Sequence, residues 1–187
     1  MTFMIAADGN QLEANLREPK TSPRGAAIIC HPHPLYGGTM DNRIVYRAAK
    51  AAAAAGFAAL RFNFRGVGRS TGSYDQGLGE KEDVVGAIAW MQGRYPGLPL
   101  ALIGYSFGAW VTLQVGNSDA RIMAMIGIAP PLDLYAMEFL AQNVKPSLFL
   151  VGTQDEFCSM ESIQQLQPRL PAASSMRRRS VPVVRGS

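Results

Sequence analysis

Residues 98–116 read LPLALIGYSFGAWVTLQVG. An apolar run from Leu98 to Ile103 meets Gly104-Tyr105-Ser106-Phe107-Gly108, and a helix-compatible run, Ala109 to Val115, follows. Strand, G-x-S-x-G and helix in that order are what a nucleophile elbow requires. A serine in so tight a turn is held in strained backbone geometry, with its oxygen pushed out above the sheet edge. Gly104 and Gly108 relieve the crowding between strand and helix, and the helix N-terminus aims unpaired amides at the reacting oxygen. Composition predicts roughly 0.1 such pentapeptides by chance in a chain of this length. Ser106 is therefore read as a nucleophile.

The flanking sequence repeats strand and helix. Thr2–Ile5 and Leu12–Arg17, either side of Asp8-Gly9-Asn10, predict a hairpin. Gly25–Cys30 is a short apolar run without alternation, as in a strand buried on both faces. It leads into His31-Pro32-His33-Pro34-Leu35-Tyr36-Gly37-Gly38, which its prolines keep from being helical. Asp41 or Asn42 can cap a helix running to Ala55, ended by Gly56. Phe57–Asn63 is the next buried strand, before the glycine-rich stretch 65–72. Glu80, Glu82 and Asp83 load the first turn of a helix with Val84, Ile88 and Met91 on its apolar side. Beyond the elbow, Ile122–Ile128 and Ser147–Val151 predict strands, and Ser159 caps a helix with Ile163 and Leu166 inward. Strand alternating with helix from residue 25 onward implies a parallel sheet covered on both faces.

Composition limits the function classes. The 187 residues are 48% hydrophobic and 17% charged, which fits a single soluble domain, 1–187, with a real core. The net charge of +4 comes from Arg177, Arg178, Arg179 and Arg185; without them basic and acidic residues balance at 14 each. The basic character thus belongs to a C-terminal tail, 177–187, and argues little for a nucleic-acid or membrane partner. Cys30 and Cys158 form no disulfide framework, and MTFMIAADGN lacks the pattern of a signal peptide, so a cytoplasmic location is expected. The uncharged run 98–118 is long enough to span a bilayer, but Pro99, Gly104, Ser106 and Gly108 argue against that.

Four stretches in fixed order, HPHPLYGG (31–38), NFRGVGRS (63–70), GYSFG (104–108) and VGTQDE (151–156), resemble the α/β-hydrolase superfamily. The likeness is to small, capless bacterial esterases and dienelactone-hydrolase-like proteins with an HPHP loop. It implies an α/β-hydrolase fold without a cap domain, a serine esterase acting on small carboxylic esters through an acyl-enzyme, and neither metal nor cofactor. Attack by Ser106 builds negative charge on a carbonyl oxygen, for which two backbone N–H groups must already be aimed. One is expected from Phe107. The other lies in the loop after Gly25–Cys30, where Pro32 and Pro34 have no N–H, leaving His33 or Leu35; the resemblance favours His33. It also puts the triad acid at Asp155, with Glu156 as fallback. Arg65 and Ser70 are read as loop supports, and Cys158 as an ordinary thiol.

One part is missing. The order for this fold is serine, acid, histidine, yet the only histidines, His31 and His33, precede Ser106. By resemblance the last strand begins near Met176 and leads to that histidine; instead the sequence reads MRRRSVPVVRGS. Three explanations compete: a shortened or frame-shifted form of a longer esterase, a pseudo-hydrolase binding acyl or small aromatic ligands, or His31 or His33 serving as a substitute base. Weak turnover is expected, since a general base contributes ~10²–10⁴-fold. Only 18 residues separate Ile128 from Ser147, too few for a sizeable cap, so an open pocket for small, soluble esters is expected.

Overall fold

In the computed structural model, which describes residues 1–153, 155–170, 172 and 174–179, eight strands form one sheet in the order β1-β2-β4-β3-β5-β6-β7-β8. The strands are β1 Phe3–Ala7, β2 Asn10–Arg17, β3 Gly25–Cys30, β4 Phe57–Phe62, β5 Leu100–Tyr105, β6 Ile122–Ile128, β7 Ser147–Gly152 and β8 Ser174–Arg179. The hairpin β1–β2 joins β4 antiparallel. From β4 through β8 every pairing is parallel. This is the mostly parallel, helix-flanked sheet that the alternating pattern implies.

Four helices follow from local chemistry. Asn42 caps α1 (Arg43–Ala54), its Oδ1 accepting from the Ile44 amide at 2.9 Å. Gly56, at φ +87°, turns the chain out of that helix, and the Arg24 side chain donates to Ala55 O. The helices α2 (Leu78–Arg94) and α3 (Phe107–Ser118) follow β4 and β5, and Ser159 caps α4 (Met160–Leu166). β3 is buried at all six positions, as its lack of alternation requires.

The larger core lies between the sheet and α2 and α3, built on Leu60, Phe62, Ile88, Leu102 and Phe149. A smaller one, with Ala27, Ile29, Val45 and Ala59, lies under α1. The alanines of α1 let that helix sit close to the strands. Beyond it, Ala101, Ile103, Ile126 and Leu150 line an apolar hollow of about 320 Å³. No described helix is long and apolar enough to cross a membrane, and 98–118 is strand, turn and helix.

Most strand ends shift by a residue or two from the sequence reading, and the C-terminal ones matter most. The last strand begins at Ser174, two residues before Met176, and pairs with β7 through Arg179. The start of the basic tail is therefore strand, with Arg178 donating to Gln167 Oε1 at 2.7 Å; residues 180–187 of that tail lie outside the described residues. The segment after β4 is held by polar side chains. The Asp83 carboxylate, fully buried, accepts from the Arg65 backbone N–H at 2.8 Å and from its guanidinium at 3.0 and 2.9 Å. Ser70 Oγ donates to Asn63 O and accepts from Glu13 N, tying this loop to β2.

Candidate active site

Parallel strands β3, β5, β6 and β7 deliver their following loops to one edge of the sheet, where α/β proteins bind ligands. Ser106 stands there, between the end of β5 and the first residue of α3, at φ 54° and ψ −121°. A non-glycine residue at positive φ is strained, at a cost of order 1–3 kcal/mol. Its backbone is held from both sides: Ser106 N–H donates to Ile128 O at 2.9 Å, and Ser106 O accepts from Ala109 N at 2.8 Å. Its side chain does not cap α3, although serine at that position commonly does. The hydroxyl instead lines an open cleft of about 590 Å³, shared with His33, Tyr36, Phe107 and Tyr135.

The two glycines of the turn have no room for a side chain. A Cβ at Gly104 would run into Gly108 O and the Thr112 hydroxyl; one at Gly108 would run into His31 O and lie 2.7 Å from Cys30 O. Gly108 is thus where the elbow presses on the end of β3, setting the Phe107 and His33 segments side by side. Their rings are 4.8 Å apart. Among the described residues, neither the Phe107 nor the His33 backbone N–H donates to a protein acceptor.

The two histidines part company. His31 is fully buried, with Nε2 accepting from the Phe64 amide at 3.0 Å and Nδ1 2.6 Å from Pro32 O. Accepting at Nε2 fixes the proton on Nδ1, which donates to that carbonyl. Both nitrogens are committed to backbone, so His31 has no lone pair for a hydroxyl proton. His33 Nδ1 accepts from the Leu35 amide at 3.2 Å, leaving Nε2 protonated toward Tyr74 Oη at 3.2 Å. That bond occupies the Leu35 N–H, and the Leu35 side chain is 65% exposed. Of the two amides left open by the prolines, the His33 one remains free.

Burial, opposed by the Pro32 carbonyl, lowers the His31 pKa from 6.5 to about 4. The unfolded chain therefore binds a proton in this range that the folded chain refuses, and stability falls as pH falls from about 6.5 toward about 4. His33, lowered mainly by burial against the opposing pull of Glu80, acts with the same sign. The expected loss between pH ~7 and ~5 is about 2 kcal/mol. Urea denaturation at the two pH values measures it, and an unchanged midpoint refutes the assignment.

Asp155 sits in the loop after β7, its Oδ1 accepting from Phe157 N at 3.0 Å. It is close enough to the residue before the serine to act on it: burial first, and the Asp155 charge second, raise the Tyr105 phenol. Asp155 does not line the cleft, and neither does the exposed Glu156 beside it. The Cys158 thiol is buried and pushed up to about 12, by burial and then by Asp155 and Asp133, which makes it inert. Sequence reasoning missed the aromatic walls. Tyr36, Tyr135 and Phe157 come from three loops, where no hydrophobic periodicity announces them, and Tyr74 and Trp110 pack behind the lining against His33 and Tyr135.

Comparisons with known proteins bear on the family and the fold. A family model described as X-Pro dipeptidyl-peptidase (S15 family) matches residues 8–180. An uncharacterized protein of Rickettsia prowazekii (strain Madrid E) is 40% identical over 155 residues, 80% of this chain, and the chain spans 65% of that relative's length. An α/β serine hydrolase homologue from Coxiella burnetii superposes with a TM-score of 0.91 at 35% identity, over 96% of this chain and 86% of that one. A Xanthomonas campestris protein, described as an α/β serine hydrolase without lid, superposes at 0.83 with 30% identity, over 96% and 83%.

Proposed function

Because the chain belongs to the X-Pro dipeptidyl-peptidase (S15) family and has the α/β-hydrolase fold, we propose that it is a serine hydrolase acting on small carboxylic esters. Ser106 is the nucleophile, the Phe107 and His33 amides receive the oxyanion, and Asp155 is the acid by resemblance, with neither His31 nor His33 for it to orient. The observation that carries this reading is the uncapped Ser106 hydroxyl at φ 54°, in a cleft shared with both residues whose amides are unspent.

In the reaction Ser106 Oγ adds to the ester carbon, and the carbonyl oxygen takes up the electron pair between the two amides. Collapse of that intermediate breaks the bond to the leaving alkoxide, which receives the serine proton through water. Water then attacks the acyl-serine and releases the acid. Preorganised amides supply electrostatic stabilisation at no reorganisation cost, and the N-terminal end of α3 adds its dipole. Within these 187 residues neither histidine is free to carry the proton, since both are engaged as described. These 187 residues on their own are expected to turn over ~10²–10⁴-fold more slowly than a hydrolase with a general base.

The committed imidazoles also favour a second reading, a non-catalytic protein that binds ester-like ligands on the same scaffold. A fluorophosphonate probe followed by peptide mapping decides between them. Stoichiometric labelling at Ser106 that vanishes in Ser106→Ala supports the hydrolase. No labelling of a correctly folded chain, or labelling that survives the substitution, overturns it.

A further inference from the structure

We propose that the cleft beside Ser106 selects a neutral aromatic ring, so that the substrate is an ester of an aromatic acid or of a phenol. This rests on the serine reading above and narrows it. Three of the protein's exposed large hydrophobic side chains, Tyr36 (85%), Leu134 (60%) and Phe157 (50%), come from the loops after β3, β6 and β7 and meet at this one cleft. Scattered apolar residues on a surface need no explanation, but convergence from three loops onto one pocket marks a binding site.

Tyr135 supplies the flat wall. Its ring stacks on Trp110, with centroids 4.3 Å apart and planes at 24°, while Trp110 and Tyr135 both contact Phe107. A ring braced from behind in this way can present a fixed aromatic surface to the cleft. Aromatic pairs gain ~0.5–1.5 kcal/mol beyond the area they bury, about two- to tenfold in affinity over a saturated ring of the same size.

Charge supports neutrality. Among the described residues, no Asp, Glu, Lys or Arg lines the cleft. A dipeptidyl-peptidase must fix the free ammonium of its substrate; Asp155 and Glu156 do not line the cleft, and two other neighbouring acids are already committed. Glu80 accepts from the Asp75 and Gly77 amides, and Asp133 from Ser159 N and the Ser159 and Ser162 hydroxyls. A carboxylate substrate likewise meets no cation here. The cleft lining therefore offers no opposite charge to an amino-terminal dipeptide or an anionic lactone, and its apolar walls favour a neutral group.

The test compares phenyl- and cyclohexyl-phosphonofluoridates, matched in size and leaving group, by their second-order rates of labelling Ser106. The phenyl probe is expected to react several-fold faster, up to about tenfold. In Tyr135→Leu, with folding checked by circular dichroism, the ratio should fall toward one. Equal rates for the two probes, or a ratio unmoved by Tyr135→Leu, overturn the inference while leaving Ser106 as nucleophile. If neither probe labels, the serine reading fails instead. The inference is then decided by binding of phenyl acetate against cyclohexyl acetate to Ser106→Ala, followed by ligand-detected NMR. Preference for the phenyl ester supports it and equal binding overturns it.

Discussion

A valine at position 108 is expected to destabilise the fold by about 3 kcal/mol or more, the upper end of what overpacking costs. The reason is that its Cβ would occupy the space of His31 O and approach Cys30 O to 2.7 Å, and both are backbone atoms at the end of a strand paired on both edges. No rotamer change relieves such a collision. Either α3 lifts from the sheet or β3 loses its register with β5. Urea denaturation with intrinsic fluorescence reads the loss, and Gly93→Ala is the matched control. Gly93 lies near the end of α2 with nothing within 4 Å of its added Cβ, so alanine there should be neutral or stabilise by up to about 1 kcal/mol. A Gly108→Val protein as stable as the parent would remove the close approach on which the elbow geometry depends.

Asp83→Ala is expected to cost about 3–5 kcal/mol, the range for stranding one half of a buried ion pair. Asp83 accepts three hydrogen bonds from Arg65, whose side chain is only 9% exposed. Its loss leaves a guanidinium and a backbone amide without their main acceptor. Asp8, 3.5 Å from Arg65 Nη2 and largely exposed, is too distant a partner to replace it. The double variant Arg65→Met/Asp83→Leu should recover most of the loss, because paired apolar replacements of buried ion pairs are often neutral. Failure of the single variant to lower the urea midpoint would show that this pair contributes little.

Much of the fold was legible because its evidence is local. β3 declares itself by an unbroken apolar run, α1 by a capping Asp41 or Asn42 before it and Gly56 after it, and the elbow by two glycines flanking a serine. β8 was harder: SSMRRR has neither alternation nor β-branched residues, and only pairing with β7 makes it a strand. The site was legible as far as its backbone. Which loop amide is free was hidden, because it turns on the His33 ring accepting from Leu35, a side-chain detail that spacing does not determine. Which amide His31 meets was hidden for another reason. Its partner, the Phe64 amide, is 33 residues away and is brought near only by the β3–β4 pairing.

The strand order also bears on how the molecule is made. β3 pairs with β4 on one edge and β5 on the other, so a chain emerging from the ribosome cannot complete that pairing before residue 105 has been added. The first hundred residues wait with an apolar edge exposed, a stage at which chaperone capture or misassociation is most consequential.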